Sequence, residues 1–143
     1  MTVRAILEEK GRAVATLKPP QAVSEAVDLL AAKKIGAVVV VGDDGILAGI
    51  LSERDIVRVM ASKGADVLGT PIAEIMTSKV ITCREDQTIP RVMGLMTEGR
   101  FRHLPVVDEA GKLSGIISIG DVVRRRIEDA EREADEVKAY LAM

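Results

Sequence analysis

The chain has 143 residues, 48% of them hydrophobic and 29% charged, which suits one ordinary domain or two very small ones and excludes disorder over most of its length. Twenty Lys and Arg against 22 Asp and Glu give a net charge of -2, without the basic excess of a general nucleic-acid binder. One cysteine excludes an intrachain disulfide, one histidine (His103) excludes a multi-histidine metal site, and no apolar run approaches the roughly 18 residues that span a bilayer.

Residues 1–13 carry acidic side chains early and lack the apolar core of a signal peptide, so a cytoplasmic location without membrane attachment is expected. Thr2–Leu7 reads as a helical turn that precedes the first unit, residues 14–63. In that unit Val14–Leu17 is a short strand ended by Pro19-Pro20, and Val23, Val27 and Leu30 recur at helical spacing. Ala37–Val41 is a buried strand, Gly42-Asp43-Asp44-Gly45 a hairpin turn and Ile46–Leu51 the returning strand. A helix opens at Ser52. Residues 64–79 form a linker, in which Thr70–Met76 is expected to be a helical turn with Thr70 as N-cap and Pro71 at its first position.

The second unit, residues 80–126, repeats the order. Val80–Cys83 reads as a strand, Ile89, Met93 and Met96 mark a helix, and Leu104–Val107 and Leu113–Ile117 flank the turn Asp108–Gly111. Another helix opens at Ser118. Val123, Ile127, Ala130, Ala134, Val137 and Leu141 then form one apolar seam with charged flanks, so residues 127–143 are a C-terminal amphipathic helix. The two units are one sequence written twice: at an offset of 66 residues, 14 of 47 positions are identical without a gap, from Val14–Met60 onto Val80–Arg126. Two copies imply a paired α/β (α+β) domain of β-α-β-β-α repeats with pseudo-twofold symmetry, flanked by N- and C-terminal helices.

The strongest constellation is Gly49-Ile50-Leu51-Ser52-x-x-Asp55, repeated as Gly115-Ile116-Ile117-Ser118-x-x-Asp121. Each is a strand, a turn and a helix start. Ser-x-x-Asp is a capping-box variant, and that structural role alone accounts for it. The same groups also suit a nucleotide, because free N–H groups and the positive helix end attract phosphate while a carboxylate one turn in accepts ribose hydroxyls. Cys83 aligns with Leu17 and reads as a core side chain with no base beside it. Arg124–Arg126, followed by Glu128, Asp129, Glu131 and Glu133, reads as a salt-bridged helix face. Phe101 and Tyr140 are the only aromatics, so a flat ligand is expected to lie between aliphatic side chains.

These repeats, the duplicated Gly-h-h-Ser-x-x-Asp signature and Arg102-His103-Leu104-Pro105-Val106-Val107-Asp108 make the chain resemble a tandem pair of CBS domains, a Bateman module. The resemblance implies two clefts between the repeats that hold adenine nucleotides such as AMP, ADP or ATP, less often NAD or S-adenosylmethionine. Carried over by position, it implies Asp55 and Asp121 on ribose and Ser52 and Ser118 on phosphate or ribose. Thr16 and Thr82, with the backbone at Ala37–Val38 and His103–Leu104, would frame adenine, and Pro105 is counted with the ligand-binding residues. Copy two has Arg102 and His103 where copy one has Gly36 and Ala37, and copy one has Glu53 and Arg54 where copy two has Ile119 and Gly120. Arg54, Arg102 and His103 are therefore expected to face phosphate, supplied differently in the two clefts.

The resulting expectation is a stand-alone, non-catalytic nucleotide sensor with no metal site and no required cofactor. AMP is favoured over ATP because no triphosphate-binding loop is present, with NAD(H) as the alternative ligand. A structural adaptor with empty clefts is the reading from a different class. Expected partners are the nucleotide, a regulated protein and a second copy of the chain. The homodimer would bury the C-terminal seam against itself or against Val3–Leu7 of the other copy.

Overall fold

A computed structural model describes residues 1–143. Its elements in chain order are α1 (Val3–Lys10), β1 (Thr16–Leu17), α2 (Val23–Lys33), β2 (Ala37–Val41), β3 (Leu47–Ser52), α3 (Glu53–Lys63), α4 (Ile89–Gly99), β4 (His103–Val107), β5 (Leu113–Ser118) and α5 (Ile119–Ala142). The fold is the expected mixed α/β pair. In the first half β1 runs parallel to β2 and β2 antiparallel to β3; in the second β4 and β5 are antiparallel. The register is the same in both, Ala37 opposite Ser52 and His103 opposite Ser118, with a bulge after Val40 and after Val106. The hairpin tips meet in a bridge between Ile46 and Lys112.

Two local expectations are corrected. Val80–Cys83 is not a strand: only Cys83 bridges β4, giving its N–H to Pro105 and receiving one from Val107. Within the linker, Gly64–Gly69 forms a 3-10 helix. Thr70 does not cap the next turn, because its hydroxyl donates to the Val67 carbonyl 2.7 Å away and Pro71 takes the cap position. The helix that opens at Ser118 and the apolar seam are one continuous helix of 24 residues.

The cores are exchanged between halves. Val23, Ala26, Leu30, Val38, Val40, Leu51 and Ile56 of the first half enclose Ile72 from the connection. Cys83, Ile89, Val92, Met96, Leu104, Val106, Ile117 and Val122 of the second half enclose Val3, Ile6 and Leu7. The N-terminal helix thus covers the second repeat and not the first, its backbone tied by Val3 N–H to Gln87 and Arg4 N–H to Glu85. The connection is tied to the first repeat in the same way, by Ile72 N–H to Gln21 and Ala73 N–H to Pro19. Arg125 reinforces the N-terminal arrangement by pairing with Glu9 of α1 and Asp129 of its own helix.

Glycine is required where these segments cross the strands. A Cβ at Gly49 would lie 2.6 Å from Met76 Sδ and 2.8 Å from the Thr77 carbonyl; one at Gly115 would lie 2.7 Å from a Leu7 methyl. Gly49→Ala is expected to cost about 1–3 kcal/mol because a backbone carbonyl must move. Gly115→Ala is expected to cost less, since only the end of a flexible side chain gives way. Denaturant midpoints of the two variants compare them directly.

Candidate functional site

The Ser-x-x-Asp expectation is realised in atoms at both helix starts. At α3 the Ser52 N–H donates to Asp55 Oδ2 at 3.0 Å, and the Asp55 N–H donates to Ser52 Oγ at 3.2 Å. At α5 the Ser118 N–H and Asp121 Oδ2 are 2.9 Å apart, and the Asp121 N–H reaches Ser118 Oγ at 3.2 Å. Both carboxylates are largely buried, with 12% and 13% of the side chain exposed.

Their surroundings differ. Asp55 opens into a cavity of about 440 Å3 lined by both repeats, within the roughly 300–1,000 Å3 of small-molecule sites. Of the expected site residues, Ser52, Arg54, Asp55, Arg102 and His103 line it together. Thr16, Ala37, Val38, Thr82, Leu104, Pro105, Ser118 and Asp121 do not. Val38 and Leu104 are fully buried in the two cores, which leaves only their backbone to a ligand. Thr16 is exposed on β1 and Thr82 half-buried on the connection.

The cavity also contains residues that sequence reasoning passed over: Arg58, Thr77, Lys79, Arg100 and Phe101. Phe101 packs against the second core, and its half-buried ring also lines the cleft, giving a flat ligand an aromatic neighbour in place of the purely aliphatic surroundings expected. Gly99 leaves the space that ring occupies. Arg100 closes α4 in the left-handed region at φ 54°, as Lys34 closes α2 at φ 53°. For Arg100 and Phe101 the signal was the run Arg100-Phe101-Arg102, which crosses from a helix end toward a strand; Arg58, Thr77 and Lys79 carried none.

His103 fits beside Gly36, where a Cβ would lie 3.1 Å from its ring. Burial, with Lys10 and Arg102 acting against Glu53 and Asp121, holds the ring below its ordinary pKa. It is therefore a neutral hydrogen-bonding group near pH 7 and brings no charge to the cleft.

On the other side, Asp121 is already occupied. Lys10 Nζ donates to Asp121 Oδ2 at 2.7 Å and to the Ile116 carbonyl at 3.0 Å. In the first half the matching carbonyl, Ile50, accepts the Thr77 N–H at 2.9 Å, while Asp55 pairs with the exposed Arg58 at 2.9 Å. Burial pushes the Asp121 carboxyl up, but hydrogen bonds from Lys10 and Ser118 and the ammonium charge outweigh it, and it sits below the usual range.

A CBS-domain family profile matches residues 4–62 and 72–128. The chain belongs to the CBS domain family. The structure of a CBS-domain containing protein from Agrobacterium tumefaciens superimposes with a TM-score of 0.84 at 46% identity, over 88% of this chain and 99% of that one. The CBS domain pair of protein MJ0100, in complex with 5-methylthioadenosine and S-adenosyl-L-methionine, gives 0.80 at 28% identity over 90% and 98%. CBSX2 in complex with AMP gives 0.76 at 28% identity over 90% and 98%. Against the mitochondrial CBS-domain protein CBSX3 of Arabidopsis thaliana the chain is 38% identical over 83% of its length but spans only 59% of that protein. No helix here is long and apolar enough to cross a membrane.

The Lys10–Asp121 pair makes a pH-dependent contribution whose sign is fixed by the lowered carboxyl. It is fully present above the unfolded carboxylate range and is lost as pH falls through the folded value. Lys10→Met is expected to destabilise the fold by about 0.5–1 kcal/mol at pH 7. Denaturation of both proteins near pH 3 should show that difference much reduced.

Proposed function

We propose that this CBS pair is a non-catalytic sensor that binds an adenine nucleotide in the cleft beside Asp55 and passes the event to a partner protein by a change of shape. The observation that carries the reading is the meeting, in one cavity, of a buried carboxylate, a helix start and several cations drawn from both repeats. Asp55 accepts ribose hydroxyls. The start of α3 and the neighbouring arginines take phosphate, while the Ser52 hydroxyl gives its proton to Asp55 Oδ2 at 2.9 Å and holds the carboxylate in place. Phe101 offers a face to the base. AMP is the smallest ligand that uses all three, and the complex of CBSX2 with AMP supports this choice. NAD(H) would need the same carboxylate and remains the alternative ligand.

A second reading has its own support. Both Ser–Asp pairs form complete capping boxes, so the carboxylates have a structural task without any ligand, as in an adaptor with empty clefts. Asp55→Asn separates the two, because the amide oxygen keeps a cap acceptor while the charge that holds two hydroxyls is lost. The sensor reading expects AMP affinity to fall about tenfold or more with a stability change under about 1 kcal/mol. Wild-type protein showing no melting shift with adenosine, AMP or NAD would overturn it.

The chain is also proposed to be a homodimer. Val123, Ile127, Val137, Tyr140 and Leu141 are exposed along α5, so the chain does not cover this seam itself. Val3–Leu7 is not available as the matching surface, because Val3, Ile6 and Leu7 are buried within their own chain. The seam against its own copy is the arrangement left. Light scattering at micromolar concentration should give twice the chain mass, and Ile127→Asp should halve it without loss of helical signal; a wild-type mass of one chain sinks the dimer.

A further inference from the structure

Helix α5 runs on past the domain it belongs to. Val122, Arg125 and Asp129 anchor its first part to the body, but every residue from Glu131 to Met143 is exposed. The apolar seam Val123, Ile127, Ala130, Ala134, Val137 and Leu141 lies roughly 120° around the helix from that anchored face. All six of its residues are exposed. A lone helical arm in water gains little from its own turns, so this stripe needs a cover.

The charges beside the seam say what the cover is. Seam residues alternate at spacings of four and three, the repeat of a two-stranded coiled coil. Arg126 and Glu133 lie on one flank, and Arg124, Glu131 and Lys138 on the other. None of these five makes an ion pair within its own chain. In a parallel pair in register, each residue of the first flank meets the next residue of the second flank along the other helix. Arg126 then meets Glu131 of the second copy, Glu133 meets its Lys138, and the twofold axis makes each pair twice.

Antiparallel arrangements fail one requirement or the other. With the whole seam covered, Val123 faces Leu141 and Ile127 faces Val137, but Glu131 meets Glu131, Glu133 meets Glu133 and Arg124 meets Lys138. Sliding that pair by one heptad brings Glu131 to a base, Arg124 or Lys138, and leaves Leu141 or Val123 uncovered. We propose that α5 pairs with α5 of a second copy as a parallel, in-register coiled coil over Val123–Leu141. The two domains, anchored at Val122, Arg125 and Asp129, face away from its axis. The proposal rests on the homodimer reading above and adds the direction and register of the contact. The seam is short and its middle is alanine, so the coil is weak and its flanking pairs weaken further with salt.

The test places single cysteines at the two ends of the seam in the full chain, Val123→Cys and Leu141→Cys; the native Cys83 is buried and does not compete. In the parallel coil each new thiol faces its own copy, so each variant alone is expected to oxidise to a linked dimer. In the fully covered antiparallel pair those thiols stand about 27 Å apart, and a link forms only when the two variants are mixed. Lys138→Glu is expected to weaken dimerisation about tenfold by light scattering, and Glu133→Lys with Lys138→Glu to restore it. Three results overturn the parallel coil while leaving the dimer in place: disulfides only in the mixture, none in a chain that is dimeric, or a Lys138→Glu chain that dimerises as tightly as wild type or more so. A wild-type mass of one chain defeats the dimer reading itself.

Discussion

The structure depends on a reciprocal packing contact: the segment that leads into each repeat completes the core of the other one. Leu7 lies on Gly115 and Met76 on Gly49, at two strand positions where a side chain would collide with it. Neither half has a closed core without the borrowed residues, Val3, Ile6 and Leu7 for one and Ile72 for the other. Small domains bury a modest share of their surface, and exchange of this kind makes two marginal units stabilise each other. It also sets the cleft, since the chain that leaves Met76 runs on through Thr77, bonded to Ile50, to Lys79, Val80 and Ile81 in the cavity wall.

The same contact breaks the symmetry that the repeats would otherwise have. Before the second repeat the connecting chain leaves its short 3-10 turn and lays Thr77 against the β3 edge. Before the first, α1 continues to Lys10, whose ammonium takes the place of that backbone N–H on Ile116 and also neutralises Asp121. One carboxylate is therefore held by a cation from another element and the other by an exposed arginine on its own helix. From two nearly identical motifs the fold makes one open, cation-rich cleft and one already satisfied carboxylate.

Capping and ligand recognition are not rival uses of Asp55. A carboxylate fixed by the Ser52 N–H and hydroxyl has one position and one orientation, and a fixed acceptor loses little freedom when a ligand arrives. What separates the two sides of the molecule is Arg54 against Gly120, Arg102 against Gly36, and Lys10 held on Asp121.

The amino-acid sequence by itself determined the repeat, the order of elements, the hairpins and both Ser–Asp helix starts. These are local or periodic features, fixed by side-chain spacing, turn residues and caps. It also named Ser52, Arg54, Asp55, Arg102 and His103, which the fold brings to one cavity. It misread Val80–Cys83 as a strand because apolar alternation looks the same whether or not a neighbouring strand accepts its hydrogen bonds. It placed Thr2–Leu7 before the first repeat without saying what the turn packs on, because burial of Leu7 beneath the second repeat is a long-range choice. The place of Lys79 in the cleft wall and the pairing of Lys10 with Asp121 on the other side were decided by tertiary structure alone. Ion pairing between residues 111 apart, and the meeting of two unequal repeats on one side, depend on how the halves dock, and no local pattern carries that.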